Sequence, residues 1–339
     1  MQIPKEKKMH LSGELWAICS YFNPQQYKTR CSNFSLFSKR LRSQGVRLVV
    51  AEAAISNHAF QVKDTDANHV LRIRTDSALW HKERLLNLAY KSLPNSCDKI
   101  VWLDGDVCFR DNAWAERLSE ALETYAVVQP YTTVIHTAKG WKPEKVEAWE
   151  HISASCERGI SSAGALKGLG FPLEKNKFAG HPGFAVAARR EVLNECGGLY
   201  ERMILGGGDS LFLGGCVGLS MSDNPYIAQH SDVIKKHADR WCEKVCEHVD
   251  GSIGCLEETI AHLWHGNRNK RYYAERSHLL TSYDPERDVV DTENHCLEWS
   301  AEAPKKLRQY VTEYFSMRNE DDENSEVKRT DAERLLLGQ

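Results

Sequence analysis

Three apolar runs in the first third of the chain restrict its fold more than any other feature of the 339 residues. "ELWAICSYF" (Glu14 to Phe22), "VRLVVAEAA" (Val46 to Ala54) and "KIVWL" (Lys99 to Leu103) are nearly continuous in apolar residues instead of alternating. Strands covered on both faces read this way, and such strands belong to parallel sheets. Helical patterns separate them. Phe34, Leu36, Phe37 and Leu41 recur at helical spacing up to a stop at Gln44-Gly45, and Leu85, Leu86, Ala89 and Tyr90 do so within Trp80 to Pro94. A helix from about Asn112 to Thr124, with Asp111 or Asn112 as its N-cap, and the short strand "YAVVQPY" continue the alternation. The expected fold is α/β, with a mixed, mostly parallel central sheet flanked by helices. Ligands of such sheets sit beyond the carboxyl ends of the strands, where Asn23-Pro24 and Asp104-Gly105-Asp106 fall.

The rest of the chain divides by composition. Residues 1–13 read as a flexible N-terminus, 14–135 as a first half that holds the Asp-Gly-Asp element, and 136–179 as an insertion or loop region without a strong strand. Residues 180–315 read as a second ordered half, with a strand at Phe184 to Ala187, a helix from near Arg190 and a glycine-rich turn before Asp209. The charged tail, 316–339, reads as disordered or as a solvated helix.

A net charge of −3 gives no global attraction to nucleic acid or to anionic membranes. No window reaches the roughly 18 apolar residues a membrane span needs, and no signal peptide is recognisable. Eleven cysteines, scattered through apolar contexts, read as reduced thiols of a cytoplasmic protein. Cys242, Cys246 and Cys255 with His248 are spaced unlike any standard zinc knuckle.

The chemistry concentrates at "LDGDV". Residues i and i+2 of an extended segment point the same way, so Asp104 and Asp106 can face one cation. Gly105 between them allows a sharp turn and a close ligand approach. Hard divalent ions prefer carboxylate oxygens and keep room for substrate phosphates.

This motif, ending a sheet strand, resembles the Asp-x-Asp motif of the GT-A fold (Rossmann-like) nucleotide-sugar glycosyltransferases, especially the inverting, galactosyltransferase-like group. The likeness extends in order from Leu15 to Asp288. It implies that Asp104 and Asp106, with His265 of "WHG" and His262 as second choice, hold Mn2+ or Mg2+ against the donor diphosphate. Asn23, at the end of "WAICSYFNP", would contact the nucleotide base. "KERLLNLAYKSLP" is similar to the family's K-x-x-A-R-N-x-G helix, so Lys82, Arg84 and Asn87 would contact the donor, although the Ala-Arg part is missing. Trp80 and His81 would reach the donor from the loop before that helix. Gly105, Arg268 and Lys270, with Arg271, would lie against the diphosphate. The resemblance of "GFAVAARREVLNECGGLYERMILGGGDSLF" makes Asp209 the general base, with Gly207 and Gly208 on the acceptor side, and "GHPGF" before its strand places His181 there too, in a loop facing the site.

The implied activity is metal-dependent transfer of a sugar from a nucleoside diphosphate sugar, UDP-sugar foremost, to an acceptor hydroxyl with inversion. The acceptor is a glycan or, in a phage-type reaction, a hydroxymethylated DNA base. Two alternatives compete. A sugar nucleotidyltransferase expects a glycine-rich phosphate loop after the first strand, and "CSYFNPQQYKTR" has no glycine. A non-catalytic GT-A-like binding protein expects a broken metal site, whereas both aspartates are present.

Overall fold

The computed structural model describes residues 5–142, 149, 158–167, 178–273, 275–293, 295–321 and 331–338. The first half runs β1 (Glu14–Phe22), α1 (Lys28–Ser43), β2 (Leu48–Ile55), β3 (His69–Thr75), α2 (Lys82–Lys91), β4 (Cys97–Leu103), β5 (Val107–Phe109), α3 (Trp114–Thr124), β6 (Val127–Gln129) and β7 (Thr133–His136). There follow β8 (Arg158–Ile160), α4 (Ser162–Leu166), β9 (Ala185–Arg189), α5 (Arg190–Cys196), α6 (Gly208–Cys216), α7 (Asp232–Val249), β10 (Ile253–Cys255) and β11 (Thr259–His262). After β12 (Val289–Val290) and β13 (Glu298–Trp299), α8 (Lys305–Met317) and α9 (Asp331–Leu336) close the chain.

Seven strands form the central sheet in the order β10-β6-β9-β4-β1-β2-β3. Only β9 runs against its neighbours, so the sheet is mixed and mostly parallel, as expected. Successive residues of a strand face opposite sides. Ile18, Ile100 and Trp102 accordingly pack with Leu85, Leu86 and Ala89 of α2 and with Phe212 of α6. Their neighbours Ala17, Cys19 and Val101 pack on the other face with Phe34, Phe37 and Leu41 of α1 and Leu118 of α3. Both faces being covered explains the continuous apolar runs.

A smaller sheet, in the order β5-β11-β7-β8, lies beside the Asp-Gly-Asp turn. β11 runs parallel to β7 with His262 opposite His136, and antiparallel to β5 with His262 opposite Val107. Since β5 begins one residue after Asp106, this register brings a carboxylate and two imidazoles to one place.

Three expectations need correction, and one strand went unread. β3 was not legible, because "HVLRIRT" carries its exposed His69, Arg72 and Arg74 among apolar residues, as befits an edge strand. α3 takes Ala113 as its N-cap, and Asp111 serves the turn before it, accepting from the Ala113 N–H at 3.0 Å. The N-terminus is not loose from residue 5 onward, since Lys5, Lys7 and Met9 donate their N–H groups to the carbonyls of Gly251, Thr124 and Glu123. Within 136–179, β8 pairs with β7, whereas 143–148, 150–157 and 168–177 lie outside the described residues.

The charged tail is the largest departure. α8 continues to Met317, and beyond it Glu320 is fully buried. Asp321 accepts from the N–H groups of Lys28 and Thr29 at 2.9 and 2.7 Å. It thereby caps α1, whose own N-cap residue Tyr27 offers no side chain. Residues 322–330 lie outside the described residues, and α9 buries Ala332 and Leu336.

Candidate active site

The ends of β1 and β4 open into a cleft of about 730 Å³, to which Ser20, Phe22, Asp104, Gly105 and Asp106 contribute. Opposite them stand the loop 180–184, the glycine turn before α6, and the segment 265–276.

The innermost group is a carboxylate with two imidazoles. Asp106, His262 and His265 offer ligand atoms that lie within 4.8 Å of one another. Asp106 Oδ2 lies 3.2 Å from His265 Nε2, and Asp106 Oδ1 lies 3.7 Å from His262 Nε2. The two Nε2 atoms are 2.9 Å apart. His262 Nδ1 in turn meets His136 Nδ1 at 3.0 Å. Burial pushes the Asp106 carboxyl up to about 7, with the Asp104 charge adding to it. Burial likewise holds all three imidazoles far below their usual range, assisted at His262 by His265 and His136 and at His265 by Arg271. Asp106 Oδ1 is buried without a hydrogen-bond partner. A buried carboxylate oxygen left over beside neutral imidazoles is what a cation-binding pocket presents. These three residues therefore fit a divalent metal.

The second group is an ion triplet. Lys82 Nζ, at the first turn of α2, lies 2.7 Å from Asp104 Oδ1 and 2.6 Å from Asp209 Oδ2. Burial pushes Asp209 up from the ordinary carboxylate range while Lys82 pulls against it. So Asp104 and Asp106 do not converge on one point. The first is engaged by a lysine, and the second faces the histidines, which makes His262 rather than Asp104 the third member of the pocket.

Arginines line the wall below: Arg30, Arg268, Arg271, Arg276 and Arg318. Glu320 anchors this wall, taking Arg30 at 2.7 Å and Arg318 at 2.7 Å. Glu83 also lines the cleft, and burial pushes its carboxyl up to about 8. At the rim, Tyr226 and Tyr273 are the aromatic members of the exposed large apolar side chains, at 41% and 54% exposure.

The structure gathers Lys82, Asp104, Gly105, Asp106, His181, Gly207, Asp209, His265 and Arg268 in this cleft, and also Trp80 and His81. Five expected contacts lie elsewhere. Asn23 folds back on its own turn, bonding the Tyr27 backbone and Gln61. Arg84 is spent on Glu201 and on the carbonyls of Thr292 and His295. Asn87 bonds Leu199 and Glu201. Lys270 pairs with Glu333 of α9 at 2.9 Å. Gly208 faces away, and a Cβ there would sit 2.2 Å from Glu83 Oε1. Gly105 needs its small size for a different reason than ligand approach: its missing Cβ would stand 3.0 Å from Phe34 of the core. Sequence reasoning missed His136, Arg30, Arg276, Arg318, Glu83 and Glu320. The pairing of β7 with β11 is what makes His136 a neighbour, and nothing in the local sequence announces that. Among the described residues Cys242, Cys246, Cys255 and His248 form no group with metal-binding spacing, and the ten described cysteines are unpaired.

No protein-family model and no curated protein matches this chain in sequence. It is similar to a solved Drosophila β1,4-galactosyltransferase 7 mutant in complex with manganese, UDP-Gal and xylobiose, at 10% identity and a TM-score of 0.29 over 58% of this chain. The match spans 60% of that enzyme's own length. It is also similar to Staphylococcus aureus TarS bound to UDP-GlcNAc (11% identity, TM-score 0.37, 80% of this chain and 68% of that one). A third likeness is to a putative glucose-1-phosphate thymidylyltransferase from Bacillus anthracis with sucrose (10%, 0.34, 73% and 89%). Superpositions this loose carry no residue roles across, and the functional reading rests on the cleft itself.

Proposed function

We propose that this chain is a metal-dependent GT-A glycosyltransferase that moves a sugar from a nucleoside diphosphate sugar, UDP-sugar foremost, to an acceptor hydroxyl with inversion. One observation carries the reading. A single cleft combines a metal-fitting pocket (Asp106, His262, His265), a wall of arginines suited to a diphosphate, and a separate basic carboxylate, Asp209. Two imidazoles beside one carboxylate suit manganese better than magnesium, which prefers all-oxygen shells. When bound, such an ion supplies Lewis-acid neutralisation of the leaving diphosphate.

The protein's own groups do the rest. Arg268, Arg271 and Arg276 hold the diphosphate as its charge grows. Lys82 fixes Asp209 and Asp104 relative to each other across the floor of the cleft. The acceptor oxygen bonds to the anomeric carbon while the bond from that carbon to the diphosphate oxygen breaks, the electron pair leaving with the nucleoside diphosphate. The acceptor proton passes to the Asp209 carboxylate, whose raised basicity suits it to the task. The exposed rings of Tyr226 and Tyr273 at the rim suit the face of an acceptor sugar, so a glycan is the acceptor class we favour.

The test is a panel of nucleotide sugars, with and without Mn2+, read by release of the nucleoside diphosphate. At least one donor should be turned over only with the metal. Asp209→Asn should slow it by about 10²–10⁴-fold, and Asp106→Asn should abolish the metal-dependent part. Full Mn2+-dependent turnover by the Asp106 variant, or no release from any donor, would overturn the reading. Salt-sensitive binding to duplex DNA carrying hydroxymethylated bases would redirect the acceptor from glycan to DNA.

A further inference from the structure

Glu320 lies outside every group that sequence reasoning singled out, yet it is fully buried and stands behind the candidate metal pocket. Its Oε1 meets Arg30 Nη2 at 2.7 Å and Arg318 Nε at 2.7 Å, and its Oε2 meets Arg30 Nε at 3.0 Å. The same Oε2 lies 3.8 Å from His265 Nδ1. Arg271 Nη2 lies 2.5 Å from Nδ1 and 3.0 Å from Nε2 of the same ring, so it stands over the ring face and along neither nitrogen's lone pair. The Glu320 carboxylate only accepts, so Nδ1 turned toward it carries the proton, which leaves the Nε2 lone pair pointing toward Asp106 and His262. Only that tautomer can ligate a cation through Nε2.

We infer that Glu320 is the positioning residue of the pocket, selecting the His265 tautomer that binds metal. The inference rests on the metal reading given above. Arg30 and Arg318 neutralise Glu320 and fix its carboxylate, so uptake of an ion requires only a small shift of His265 toward it. A carboxylate behind a ligating histidine typically contributes 10–100-fold in metal affinity. The segment after α8 is thereby part of the site, and Arg30 and Arg318 are what hold Glu320 there.

The probe is the metal alone. Mn2+ is titrated into the full chain and free Mn2+ is read by EPR for the wild type, Glu320→Gln and Asp321→Asn. Glu320→Gln should bind about 10–100-fold more weakly. Asp321→Asn removes a charge from the same segment, leaves the arginines that hold Glu320 in place, and should bind as the wild type does. Independently, ¹⁵N NMR of the Zn2+-loaded wild type, with His265 assigned by its absence from a His265→Gln spectrum, should show the proton on Nδ1. A folded Glu320→Gln protein within threefold of wild-type affinity, or equal weakening by Asp321→Asn, refutes the inference and leaves the metal reading standing. If Glu320→Gln does not fold, the wild-type tautomers decide: a proton on Nε2 with metal bound refutes it. A wild type that takes up neither ion overturns the metal reading itself.

Discussion

Lys82→Met isolates the ion triplet at the floor of the cleft. Methionine keeps the length and apolar stem of lysine but removes the charge that joins Asp104 to Asp209. With Nζ at 2.7 and 2.6 Å from the two oxygens, their separation cannot exceed about 5.3 Å. At an effective dielectric of about 20, two unit charges at that distance repel by about 3 kcal/mol. The side chains of Asp104 and Asp209 are 30% and 21% exposed, so water relieves part of this. Breaking a buried pair by removing one partner costs about 3–5 kcal/mol. The partial exposure puts the expected loss at the lower end, about 3 kcal/mol. The assay is urea denaturation followed by tryptophan fluorescence at pH 7. The decisive arm is the double variant Lys82→Met with Asp209→Asn, which removes the repulsion and should recover about 1–2 kcal/mol of the loss. Strictly additive effects of the two substitutions, or a Lys82→Met protein within about 0.5 kcal/mol of wild type, would refute the triplet as a coupled unit.

Two further outcomes follow from backbone and burial. Gly180 has φ +82°, and an added Cβ would stand 2.7 Å from the Ile160 carbonyl oxygen, so Gly180→Ala should lose about 1–3 kcal/mol of stability in a thermal melt. Gly45→Ala shares the positive φ of +73° but meets nothing within 4 Å, and it should lose about 1 kcal/mol, so equal losses would remove the collision from the account. Glu83, raised to about 8 by burial, stays protonated in the folded chain while the unfolded chain ionises at the usual 4.5. The folded state therefore binds the extra proton, and stability from this group falls by about 1.4 kcal/mol per pH unit as pH rises between those values. Glu83→Gln should remove that slope between pH 5 and 8, and an unchanged slope would show that Glu83 ionises in place.

The strands and the positions of the motifs were legible because each rests on a pattern within one segment. β1, β2 and β4 announce themselves by continuous apolar runs, and the polar residues that end β4 must lie at the mouth of a parallel sheet. Partner choice was not legible to the same degree, and α2 shows why. Arg84 and Asn87 are three residues apart, so they share one face of the helix, and both bond Glu201. Lys82 is two residues from Arg84, about 200° around the helix, and points into the cleft instead. The helical period by itself therefore forbids all three from meeting one ligand, a constraint that residue spacing alone imposes. No such rule points to His136 or Glu320. The first enters through the register of β7 against β11, two segments more than a hundred residues apart. The second sits in a stretch whose charge reads as solvation, because a buried carboxylate and a solvated one look the same until their arginines are found. The candidate metal pocket is thus local in its carboxylate and long-range in everything that tunes it.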